Sequence, residues 1–162
     1  MTARYDNDLG NVCEGKPILN AAPYAGPSSA KVYTFANSPD RPALWSSVSI
    51  ASNKPYSAKN TDFEAVSVVA CLEFVGGSEA TPLECEYTDT LHHRVTIDYV
   101  SSRYKLTFHA AKTAEKIGDG GTVSGPASRC PTFISSYNKN TKKAYAPPDT
   151  GTIEAALHKF LS

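Results

Sequence analysis

The most regular alternation of polar and apolar positions lies between His93 and Ala111. Arg94–Val100 sets Val95, Ile97 and Tyr99 on one face, and Arg103–His109 does the same with Tyr104, Leu106 and Phe108. A fold at Ser101-Ser102 predicts a hairpin with Val95 opposite Phe108, Ile97 opposite Leu106 and Tyr99 opposite Tyr104. Its other face pairs Thr96 with Thr107 and Asp98 with Lys105. Side chains alternate with period two, so a one-residue slip would turn the apolar set outward and the register is well specified. Each such cross-strand pair adds roughly 0.2–1 kcal/mol.

The rest of the chain is arranged around that pair. Residues 1–29, rich in Pro, Gly, Ala and Asn, read as an extended wrapping segment with a short strand at Ile18-Leu19. Lys31–Phe35 is a strand stopped by the Asn37–Pro42 turn residues. Leu44-Trp45 reads as a loop or helical turn, Ser47–Ile50 as a short strand, and residues 51–63 as turns. From Glu64 to Val75 both faces are apolar, with Val66, Val68, Ala70, Leu72 and Phe74 on one and Val69 and Cys71 on the other. That pattern fits a central strand covered on two sides. Leu83–Tyr87 is half exposed, with Leu83, Cys85 and Tyr87 inward and Glu84 and Glu86 outward. A turn at Gly76-Gly77-Ser78 joins these two strands, and with the organising hairpin they make an antiparallel meander. Ile117–Thr122 is a turn, and residues 131–150 cross the surface. Ile153, Ala156, Leu157 and Phe160 recur at the spacing of an amphipathic helix over 151–162, capped by Thr150 or Thr152. The expected fold is mainly β, an antiparallel sandwich or curved sheet with one C-terminal α-helix, in a single domain over residues 1–162.

Composition narrows the class. With 41% hydrophobic residues the chain has enough apolar material for a core. Lys plus Arg and Asp plus Glu are equal at 16 each, which argues against a nucleic-acid partner. Lys139, Lys142 and Lys143 concentrate charge in one polar stretch, read as a solvated loop. No apolar run approaches the roughly 20 residues of a membrane span, so no insertion of this segment is expected. Met occurs once, at position 1, where a truncated expression start would supply it; a trimmed export signal is the expectation.

The cysteines Cys13, Cys71, Cys85 and Cys130 are even in number and widely spaced, without zinc-type intervals. Two disulfides are expected, with four buried thiols or a metal site as the alternatives. The strand pairing above faces Cys71 toward Cys85, and Cys13 joins Cys130 by elimination. Disulfides persist in oxidising compartments, which places the chain outside the cytoplasm.

Several constellations carry chemistry in principle. No nucleophile elbow, dinucleotide fingerprint, P-loop or His-Glu-x-x-His motif is present, and no catalytic residue, metal or cofactor is assigned. His92-His93 beside Asp89 suggests a metal, but adjacent strand residues point to opposite faces, and the hairpin sets Arg94 opposite His109. Asp6–Asn11 has the start of a calcium loop but lacks its distal Glu, so a capped turn is expected. Glu84 and Glu86 share a face at about 7 Å, a spacing compatible with work on sugars but common to any solvent-facing strand. Tyr24, Tyr56, Tyr137 and Tyr145 fall in polar, Pro-rich stretches, where exposed rings make good contact surfaces. Trp45, Tyr56, Tyr137 and Tyr145 are the candidate binding residues.

Tyr104–Thr113, then Gly125-Pro126, Cys130-Pro131 and a terminal amphipathic helix, together with Val68–Cys71, form a recurring arrangement. It resembles an extracytoplasmic domain of uncharacterised bacterial membrane-anchored proteins, over roughly the last 60 residues. That family usually has Gly after Ala-Lys-Thr, where this chain has Ala114. The resemblance implies export, disulfides and a tethered module, and brings no catalytic residues. The functional expectation is a non-catalytic binding module on the outside of a bacterial cell, secreted or anchored, for a protein or glycan surface. The alternatives are a self-assembling structural subunit and a hydrolase using Glu84/Glu86 or His92/His93.

Overall fold

The computed structural model describes residues 1–50, 53–58, 62–75, 81–134 and 137–162. Among the described residues eight strands form two sheets: β1 (Val32–Ser38), β2 (Arg41–Ser47), β3 (Val68–Phe74), β4 (Leu83–Thr88), β5 (Arg94–Val100), β6 (Ser102–Ala110), β7 (Lys116–Gly125) and β8 (Lys143–Tyr145). The larger sheet has the order β2-β1-β3-β6-β7 and the smaller β4-β5-β8. One α-helix, α1 (Thr150–Leu161), follows. The mainly β architecture with a C-terminal helix is thus as expected, but two pairings, β1 with β3 and β5 with β8, are parallel.

β5 and β6 do not form the expected hairpin. Ser101 carries the chain from one sheet to the other, and both strands have their edges taken. β6 lies between β3 and β7, and β5 between β4 and β8. Leu106 sits opposite Leu72, Phe108 opposite Ala70, Tyr104 opposite Phe74, and Lys105 opposite Glu73 rather than Asp98. Alternation identified the inward face of each strand correctly. It carries no information on which apolar strand lies alongside, and β3 is apolar along nearly its whole length.

β3 is the covered centre that its sequence predicts. On one side Val68, Ala70 and Leu72 join Leu106, Phe108, Val123 and the helical Ile153 and Leu157. On the other, Val69 and Cys71 meet Phe35, Leu9, Val12 and Ile18 of the N-terminal segment. Ala3, Leu9, Val12, Ile18 and Ala21 pack on this face, and Asp6–Glu14 is a 3-10 helix where extended chain was expected. Ile18-Leu19 is no strand, although the Ile18 N–H donates to the Ala111 carbonyl at 3.0 Å. The smaller sheet turns Cys85, Ile97 and Tyr99 inward against Ala144 and Ala146. Glu84 and Glu86 face outward on β4, as expected.

The disulfides are Cys13–Cys71 and Cys85–Cys130, a correction of the expected pairing. Cys71 and Cys85 sit in different sheets, so the pairing failed with the strand order. The Gly76-Gly77-Ser78 turn lies outside the described residues. Leu44-Trp45 belongs to β2 and not to a turn. The Ile117–Thr122 turn is likewise strand β7. Its glycines are placed where side chains would collide: a Cβ on Gly118 would lie 2.9 Å from the Phe160 ring, and one on Gly120 would lie 2.5 Å from Leu106 Cγ. Glycine inside a strand marks such a close approach. A bulge falls here, with Gly121 at φ 75°. The cap of α1 is Asp149, ahead of both threonines proposed for it, and its carboxylate accepts from the Thr152 amide at 3.0 Å.

Candidate functional site

β2 is an edge strand on which every residue but Trp45 is exposed. Alternation along it decides what each face can do. Trp45 points to the N-terminal side, where it packs on the cluster holding Leu9 and Phe35 and its indole N–H donates to the Glu14 carboxylate. Leu44, one residue earlier, points the other way and is 51% exposed. Along that second face runs a groove, its far wall built by residues 137–148.

The groove has two continuous parts of about 570 Å³ and about 280 Å³, sharing Ser38, Leu44, Ser46, Tyr104 and Tyr145. Tyr104 closes its floor: it is 4% exposed and its hydroxyl donates to the Ala146 carbonyl at 3.0 Å. Burial pushes the Tyr104 phenol above its ordinary pKa, so it stays neutral. Phe74 packs edge-on against both Tyr104 and Tyr145, with centroids 5.7 and 5.1 Å apart, which fixes the Tyr145 ring in the wall.

The turn before β8 is built by Asn138. Its side-chain oxygen accepts from the amides of Asn140 and Thr141, and its amide donates to Asp40 Oδ1 at 2.9 Å. That last bond joins the lip of one sheet to the lip of the other. Lys142, with φ 57°, closes the turn and places its ammonium 5.8 Å from the centre of the Tyr137 ring. Arg41, Lys139 and Lys143 line the groove beside Tyr137. None of these three side chains has an ionic or hydrogen-bonding side-chain partner among the described residues.

Of the four candidate aromatics, the fold thus brings Tyr137 and Tyr145 together and separates Trp45 and Tyr56 from them. Tyr56 is buried beside α1, at a hollow of about 630 Å³ shared with Lys54, Glu154 and His158. Burial, and then the Glu154 carboxylate, push its phenol upward. Tyr24 packs on the core cluster beneath α1. Sequence reasoning missed Arg41 and Leu44, hidden in a stretch read as a turn, and the groove-forming role of Asn138.

The other constellations serve local structure. Asp89 Oδ1 accepts from the amides of Leu91 and His93 at 2.9 and 2.8 Å, which fixes the loop, with His92 at φ 61°. The His93 ring lies 3.7 Å from the same carboxylate. Asp8 accepts from the amides of Arg4 and Tyr5, capping the first 3-10 helix. Glu84 pairs in register with Asp98 on the outer face of the smaller sheet, where like charges oppose each other. Lys143 follows as the next neighbour of Asp98. His109 lies opposite Val69 and Lys116, away from Arg94. Among the described residues no three His, Cys, Asp or Glu side chains group as a metal site, and no helix is long and apolar enough to cross a membrane.

Neither family models, nor curated proteins, nor solved structures compared with the chain yield a match.

Proposed function

We propose that this chain is a non-catalytic extracytoplasmic module that holds a protein or glycan surface in the groove between β2 and residues 137–148. The carrying observation is the convergence of Tyr137, Tyr145 and Leu44 on one open cleft whose rim bears Arg41, Lys139 and Lys143. Rigid aromatics add contact area at little entropic cost, and polar neighbours supply orientation. The two disulfides support an oxidising compartment. A glycan array, with pull-down from bacterial surface extracts, tests the reading. Binding should vanish in the Tyr137→Ala/Tyr145→Ala double variant while its circular dichroism spectrum is retained. Efficient turnover of a small substrate would end it.

A second reading is favoured by the bareness of β2. An edge strand with both faces largely open is a template for pairing with another chain. Self-assembly through it predicts a concentration-dependent sedimentation coefficient, abolished by Ala43→Pro; a monomer at all concentrations disposes of it.

A further inference from the structure

We propose that the ligand of the groove is an acidic polysaccharide, a chain of sugar rings carrying carboxylates. This rests on the reading of the groove as the contact surface. The whole chain is electrically balanced, with 16 basic and 16 acidic residues, so the composition of the groove is a local departure. Arg41, Lys139 and Lys143 line it, and Lys142 stands over the Tyr137 ring beside it. The acid in the same lining, Asp40, has one oxygen engaged by the Asn138 amide. Asp98 lies opposite Lys143 across the strands, but among the described residues none of the three cations is in an ion pair, so an arriving carboxylate displaces no formed bridge. Charge-assisted hydrogen bonds of this kind are the strong ones, and a guanidinium fits a carboxylate in two places at once.

The rest of the lining favours sugar over peptide. A peptide held by its side chains needs pockets for alternate residues. Here Tyr104 closes the floor, and the wall offers the Tyr145 and Tyr137 rings, half-buried and set beside Leu44. Such faces suit the apolar side of a pyranose ring. Ser38, Ser46 and Asn138 supply hydroxyl and amide groups for its hydroxyls. The two parts of the groove are continuous, which suits a linear chain more than a single sugar.

Calorimetric titration with oligogalacturonate tests this against its methyl ester, which has the same rings without charge, and against a Glu-rich peptide. The acid form should bind about tenfold or more tightly than the ester, as expected for loss of a charge-assisted contact. Its affinity should fall as salt screens the contact. Arg41→Gln with Lys143→Gln should reduce binding of the acid about tenfold and that of the ester by much less. Equal binding of acid and ester overturns the assignment of charge but leaves the groove reading intact. Binding of the peptide and not the sugar overturns it in favour of a protein partner, and absence of binding to all three probes overturns it outright. If the acid binds and Tyr137→Ala/Tyr145→Ala has no effect, the groove reading itself fails.

Discussion

Cys13 is bonded to Cys71, so the N-terminal wrapping segment is stapled to the middle of the central strand. The bridge spans 58 residues of sequence, and Cys85–Cys130 spans 45. In the chain-entropy model each closes a loop worth about 4 kcal/mol. Cys13→Ala/Cys71→Ala should lower unfolding stability by about that amount in denaturant titration. A non-reduced digest should yield the Cys13–Cys71 peptide pair. A Cys71–Cys85 pair would mean that β3 and β4 lie side by side after all.

Ala114 has φ 63°, in the left-handed region, and its carbonyl accepts from His109 Nδ1 at 3.3 Å. An L-residue other than glycine costs roughly 1–2 kcal/mol in that conformation. Glycine there would lose more chain entropy and a partly buried methyl, which offsets part of the relief. Ala114→Gly should therefore raise stability by about 0.5 kcal/mol. A loss in chemical denaturation would show that the methyl contact outweighs backbone strain.

Gly120 faces Leu106, which is fully buried and cannot retreat. Gly120→Ala should cost about 1–3 kcal/mol through overpacking. Gly151, in the first turn of α1, has only Asp149 Oδ2 near its would-be Cβ, at 3.6 Å. Gly151→Ala should be neutral or stabilise by up to about 1 kcal/mol. Equal destabilisation by both would contradict the packing of β7 against β6.

Asp149 holds the start of α1. The Thr152 hydroxyl and then the Thr152 amide donate to its carboxylate and hold its pKa below the ordinary value. Because the folded pKa is depressed, the cap contributes fully above the ordinary carboxylate pKa. The contribution disappears as pH falls from there through the folded value. Asp149→Ala should lower Tm at neutral pH, and the gap from wild type should close in acid. Asp149→Asn, itself a good cap, should keep most of the neutral-pH stability. A gap independent of pH would show that the carboxylate charge plays no part.

What the sequence disclosed were faces, and what it concealed were neighbours. The inward positions of β3, β4, β5 and β6 and the apolar stripe of α1 follow from local period: Leu72, Cys85, Ile97, Leu106, Ile153 and Leu157 are buried, and Leu83, Tyr87, Val95, Ala156 and Phe160 partly so. Partner choice is set by surface far away in sequence, which is why Leu106 met Leu72 rather than Ile97. β7 was concealed because Gly118, Gly120 and Gly121 signal a turn unless Leu106 and Phe160 are known to fill the space above two of them. The site was legible in the same proportion. Tyr137 and Tyr145 stood out as rings in polar stretches, whereas Arg41 and Leu44 acquire a role only once β2 is seen as an uncovered edge.

The central claim is that ligand contact occurs between β2 and β8, and an amide NMR shift map tests it most directly. Oligogalacturonate added to the labelled, disulfide-intact protein should shift amides of residues 38–46 and 137–145 together. Shifts gathered around Tyr56 and His158, or on the Glu84/Glu86 face, with the groove silent, would contradict the account.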